Sequence, residues 1–82
     1  MTEFYYGLSL DREDNGGINR HTLRSGSDVL GTAIEQLDGT TSVTIVEHGK
    51  VYRPPGIFLA VDDALMAIKT YHDVRNLAGH AN

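Results

Sequence analysis

The chain has 82 residues, with seven Lys and Arg against eleven Asp and Glu, a formal charge of −4 and no cysteine. A domain this small buries only about 60% of its unfolded surface, so nearly all its long apolar side chains are committed to one core. The missing cysteine excludes disulfides and thiolate metal sites and fits a reducing cytosol, and the acidic balance disfavours a dedicated duplex-DNA binder.

The opening stretch MTEFYYGLSL lacks the basic start and apolar core of a secretory leader. No apolar run approaches the roughly 18 residues of a membrane span. The expectation is a cytoplasmic chain with no membrane contact. Phe4, Tyr6, Leu8 and Leu10 alternate with Tyr5, Gly7 and Ser9. That period of two predicts a half-buried strand with the first set inward. Asp11 to Gly17 is polar, and Asn15-Gly16 suits a type I′ hairpin turn because both residues tolerate positive φ. Ile18 to Arg24 then returns as a second strand. Ser25-Gly26-Ser27-Asp28 reads as a helix start, with a serine cap and an acid at the positive end of the dipole. Val29, Leu30, Ala33, Ile34 and Leu37 form an apolar stripe at helical spacing, and Gly39 supplies the stop.

The second half repeats this order. Thr41 to Glu47 is rich in β-branched residues and predicts a strand. His48-Gly49 makes a tight turn, and Lys50 to Arg53 returns. Pro54-Pro55-Gly56 interrupts the ladder, since proline has no N–H to donate. Ile57-Phe58-Leu59 resumes it. Asp62 caps a helix running to about Ala78, with Ala64, Leu65, Ile68, Tyr71 and Val74 toward the core. Gly79 ends it, and residues 79–82 form a frayed tail. The predicted fold class is therefore α+β: a single two-layer ββαββα domain, with a four-stranded, mostly antiparallel sheet and two helices on one face. Unit one covers 4–38 and unit two 41–78. Asp28, Ala33 and Ile34 align with Asp62, Ala67 and Ile68, but helical periodicity alone generates such matches.

Few chemistries find support. Asp11, Glu13, Asn15 and Gly16 fall at the first, third, fifth and sixth places of a partial EF-hand-like loop, but Thr22 stands where the cage needs a bidentate carboxylate. A polar hairpin is the better reading, and no metal is expected. His21, His48, His72 and His80 are not paired at metal-motif spacing. Ser9, Ser25, Ser27 and Ser42 lie in no nucleophile elbow. Asp62-Asp63 is explained by the helix dipole. No cofactor fingerprint is present, and the expectation is a protein that is not an enzyme.

What remains is surface. If helices cover one sheet face, the other is expected to carry Tyr5, Ser9, Arg20, Arg24, Thr44 and Tyr52. Of these, Tyr5, Arg20, Arg24 and Tyr52 are the candidate binding residues. Aromatics and arginines on an open sheet can stack and hold single-stranded nucleic acid, which is the alternative function. The leading expectation is a small acidic protein-binding module, an adaptor or an inhibitor. It would use the open face, an acidic turn at Asp11, Glu13 and Asp14, or a sheet edge that also permits a homodimer. In size, acidity and lack of cysteine the chain resembles, in type and not by motif, the small accessory proteins of phages and other mobile elements. Inhibitors of host defence, which act on host machinery, are among them.

Overall fold

The computed structural model describes residues 3–80. It is a six-stranded antiparallel sheet in simple meander order, crossed on one face by one helix. The strands are β1 (Glu3–Tyr5), β2 (Leu8–Asn15), β3 (Ile18–Ser25), β4 (Asp28–Glu35), β5 (Thr41–Glu47) and β6 (Lys50–Tyr52), and the helix α1 is Val61–His80.

Short turns set this order. Tyr6-Gly7, Gly16-Gly17 and His48-Gly49 have positive φ at both residues, and Gly26 has it at the first residue of Gly26-Ser27. These are the primed turns whose twist matches that of the strands they join. β4 and β5 are joined by a longer loop. There Asp38 accepts hydrogen bonds from the Thr40 amide at 3.0 Å and hydroxyl at 2.7 Å.

The first half of the chain therefore differs from the ββα expectation. Segment 4–10 is not one strand: Tyr6-Gly7 folds it back, so Tyr5 pairs with Leu8 and Phe4 with Ser9. The alternation resets across that turn, leaving Phe4 and Tyr6 exposed and Tyr5 against the core. Asp11–Asn15 is strand, and Asn15 pairs with Ile18, so the turn is Gly16-Gly17 and not Asn15-Gly16.

Residues 28–35 of the expected helix are strand β4, Leu37 of its expected stripe is exposed in the loop that follows, and the expected cap at Ser25–Asp28 is a hairpin turn. Its apolar residues mimic a helical stripe because β4 carries a bulge. Leu23 faces Gly31 while Arg24 faces Val29, which leaves Leu30 without a partner on β3. One extra residue interrupts the period of two that marks a strand. The match of Asp28, Ala33 and Ile34 to the helix is thus between a strand and a helix, and no ββα unit repeats.

The second half follows its pattern in β5 and in the buried face of the helix. The helix begins at Val61, so Asp62 lies in its first turn and not at the cap. Residues 57–59 form a single bridge at Phe58 and not the resumed strand expected. β5 spans Thr41–Glu47, and Ala64, Leu65 and Ile68 are fully buried. Val74 is exposed, and the helix continues through Gly79 to His80. Of the tail expected at 79–82, residues 81–82 lie outside the described residues.

The core lies between α1 and the sheet. Leu10, Leu23, Ala33, Val43 and Ile45 meet Ala64, Leu65 and Ile68. Cross-strand register aligns Leu10, Leu23, Gly31 and Ile45 in one row beneath the helix. Gly31 is needed there because a Cβ would stand 2.5 Å from the Thr44 carbonyl oxygen and 2.9 Å from Ile68 Cγ2. The helix lies chiefly over β4 and β5.

Gly31→Ala separates this fold from the helical reading by sign. In a helix the change would stabilise by about 1 kcal/mol. Here overpacking is expected to cost about 1–3 kcal/mol, read as a fall of several degrees in Tm by calorimetry.

Candidate interaction surface

Alternation from the buried rows assigns each face of the sheet. Leu10, Leu23, Ala33, Val43 and Ile45 point to the helix. Ser9, Asp11, Glu13, Arg20, Thr22, Arg24, Thr32, Ile34, Ser42 and Thr44 therefore point to the open face.

The four candidate binding residues do not come together. Arg20 and Arg24 lie on the open face, but Tyr5 and Tyr52 lie on the helix side. Tyr5 pairs with Leu8 and is half-buried beside the core. Tyr52 pairs with Ile45 and stacks on Tyr71 of the helix, ring centroids 5.6 Å apart. The expected placement of both tyrosines on the open face fails for two reasons. The turn at Tyr6-Gly7 reverses the face that Tyr5 presents, and the β5–β6 register puts Tyr52 beside Ile45.

The open-face arginines have nearby acids. Arg24 Nε donates to Asp11 Oδ2 at 2.8 Å, and Arg20 stands directly opposite Glu13. The residues of the expected acidic turn are likewise dispersed along a strand. Asp11 and Glu13 face outward, whereas Asp14 belongs to the other face and accepts a hydrogen bond from the Gly17 amide at 3.3 Å.

Polar contacts pin the helix to the sheet. Glu47 accepts from Arg75 Nε at 3.0 Å, from Arg75 Nη2 at 3.2 Å and from the Tyr71 hydroxyl at 3.1 Å. The Arg75 hydrogen bonds, helped by that of Tyr71, hold the Glu47 carboxyl below the usual carboxylate range. His72 Nε2 stands 2.9 Å from the Leu30 carbonyl; a carbonyl only accepts, so this nitrogen carries the proton. Leu30 is the bulge residue, so the helix satisfies a carbonyl that the bulge displaces from regular pairing. Lys69, paired with Asp73, lies 5.6 Å from the Tyr6 ring centroid. Buried His21 places Nε2 3.1 Å from Glu35 Oε2.

An open groove of about 570 Å³ runs between the second half of the helix and the nearby hairpin turns. Lys69 and Arg75 line it, each already paired with an acid. Its Ser25 and Ser27 hydroxyls hydrogen bond to no histidine among the described residues.

The sheet edges differ in kind. Beyond β1, the free edge of β2 carries Asp11, Arg12, Glu13 and Asp14. Charges of this kind discourage a further strand. β6 begins at Lys50 and is followed by Pro54 and Pro55, which cannot extend a ladder. The segment 57–59 has neither safeguard. Phe58 bridges Thr41, its carbonyl accepting the Thr41 amide at 2.7 Å, and its ring packs against the core. Ile57 and Leu59 point the other way and are 79% and 75% exposed. Neither makes a backbone hydrogen bond among the described residues.

These two residues are the part of the surface that sequence reasoning read only as a resumed strand. A double proline just before them is compatible with an edge but also with the start of an interior strand, so their exposure follows only from the neighbours that the fold gives them. Among the described residues, no helix is long and apolar enough to cross a membrane. Comparison with protein-family models, curated proteins and solved structures finds no match.

The Glu47 contact makes stability depend on pH. Its carboxyl is depressed on folding, so its contribution is complete above the unfolded value near 4.5 and is lost as pH falls through the lower folded value. Replacing Glu47 with Gln should lower Tm at neutral pH and shrink the difference from the parent toward pH 3. Calorimetry across pH 3–7 reads this directly.

Proposed function

We propose that this chain is a non-enzymatic protein-binding module of adaptor or inhibitor type, and that it binds through the edge formed by Ile57, Phe58 and Leu59. The observation that carries this reading is the uncharged, apolar, unpaired edge itself. Ile57 and Leu59 offer two large aliphatic side chains beside free backbone groups. A strand from a partner can take up those groups, with pockets for alternate side chains supplying specificity. The rigid Pro54-Pro55 stretch reduces the entropy lost on docking.

The open face supports single-stranded nucleic acid less well. Arg24 is paired with Asp11, and Tyr5 and Tyr52 stand on the opposite face. A cytoplasmic setting fits the lack of cysteine. The likeness in type to mobile-element accessory proteins makes host machinery the first place to look for a partner.

The test compares affinity capture by the parent, by Leu59→Asp and by the open-face variant Arg20→Ala/Arg24→Ala. Leu59 is exposed, so Leu59→Asp should keep Tm within a few degrees of the parent. A partner held by the parent should be retained by the open-face variant and weakened at least ~10-fold by Leu59→Asp. Equal capture by parent and Leu59→Asp, or loss only in the open-face variant, contradicts the reading.

A further inference from the structure

We propose that the last turns of α1, from His72 onward, form an arm that opens from the sheet independently of the core, and that Glu47 is the acid-sensitive latch that closes it.

The helix is packed at one end only. Ala64, Leu65 and Ile68 are fully buried, and Tyr71 is the last helix residue packed against the core. Asp73, Val74, Arg75 and Asn76 are all exposed. One turn takes about 3.6 residues, so four exposed residues in a row leave no side of the helix buried there. The open groove lies between this stretch and the hairpin turns. A few helical turns without a buried apolar face are marginal in water. Segments with few buried apolar contacts are the first to open in a native protein.

What holds the stretch is polar. Glu47 accepts from Arg75 Nε and Nη2 and from the Tyr71 hydroxyl, and His72 Nε2 donates to the Leu30 carbonyl. The two attachments respond differently to acid. Nε2 carries its proton in both the neutral and the charged imidazole, so the bond to Leu30 survives. The Glu47 carboxylate takes up a proton and loses its hold on Arg75. The groups around it do not replace that acceptor. Arg75 and Tyr71 come from the helix, His48 follows Glu47 in the chain, and Lys50 stands opposite on β6, where Tyr52 stacks on Tyr71. Asp28 of β4 lines the same groove, and Asp73 is engaged by Lys69. The Glu47 carboxyl is depressed on folding, so the latch is complete above about 4.5 and is lost as pH falls through the lower folded value.

Opening from His72 leaves Leu65, Ile68 and the Gly31 contact in place. It widens the groove over Leu8 and Leu30, both of which pack against the core.

Native-state hydrogen exchange read by NMR tests this. At neutral pH the amides of Val74, Arg75 and Asn76 should be protected at least ~10-fold less than those of Leu65 and Ile68. Their protection should also depend less steeply on urea, because a small opening exposes little surface. Glu47→Gln should lower protection at 74–76 by a further ~10-fold. In the parent that protection should fall as pH drops from about 6 to about 3. In Glu47→Gln the fall should be shallower, with only the Lys69–Asp73 pair left on the arm to titrate. Gly31→Ala should lower protection at Leu65 and Ile68 and leave 74–76 unchanged. If Gly31→Ala does not fold, the urea dependence of the parent separates the two ends by itself. Equal protection and equal urea dependence at both ends, a fall at both ends in Gly31→Ala, or an arm unmoved by Glu47→Gln overturns the proposal.

Discussion

Ile68 rests on the backbone of Gly31, and the rest of the fold is arranged around that contact. A side chain at position 31 would meet the Thr44 carbonyl on one side and Ile68 on the other. Its absence lets the helix settle onto β4 and β5. Leu65 and Ile68 can then close over Leu23 and Ile45 with no exposed surface left on Leu23, Leu65 or Ile68. Interiors pack at crystal-like density, so a gain of one methyl group is felt. Among the described residues a single buried cluster forms the core, so nothing beside it absorbs the loss.

The same contact explains the polar clamps. A helix seated that low brings His72 to the bulge carbonyl of Leu30 and brings Tyr71 and Arg75 to Glu47. Each clamp joins the helix to a different strand, β4 in one case and β5 in the other. Together they fix the rotation of the helix about its axis, which the small apolar interface alone would define less sharply. One helix covers one face. The other face is left to threonine, serine and paired charges, and the edges carry what is left of the apolar surface. Most edge positions are guarded by charge or proline. The segment at Ile57 and Leu59 has neither guard.

The sequence was legible where its signals were local and unbroken. Thr41–Glu47, the His48-Gly49 turn and the buried positions Ala64, Leu65 and Ile68 all follow from periodicity and turn chemistry. It was illegible where one residue changed the period. The bulge at Leu30 breaks the alternation of β4 and leaves Val29, Leu30, Ala33 and Ile34 at helical spacing. Gly31, an unfavourable helix residue, was the counter-signal. The turns at 6–7, 16–17 and 26–27 recur at the spacing of a β-meander, which outweighs a serine that resembles a helix cap. Tyr6 hid the first of these, because tyrosine is an uncommon residue at positive φ. Misplacing that turn put Tyr5 on the wrong face, and with it half of the aromatic surface proposed for binding. The Ile57–Leu59 edge was read as a strand, but its exposure depends on what lies beside it, and sequence alone does not carry that.

The most direct measurement is a set of nuclear Overhauser contacts from Gly31. The account predicts close approach of the Gly31 α-protons to the Ile68 methyl groups, together with cross-strand contacts from Thr32 to both Thr22 and Thr44. A run of helical contacts through residues 28–37, with none between Gly31 and Ile68, would contradict it.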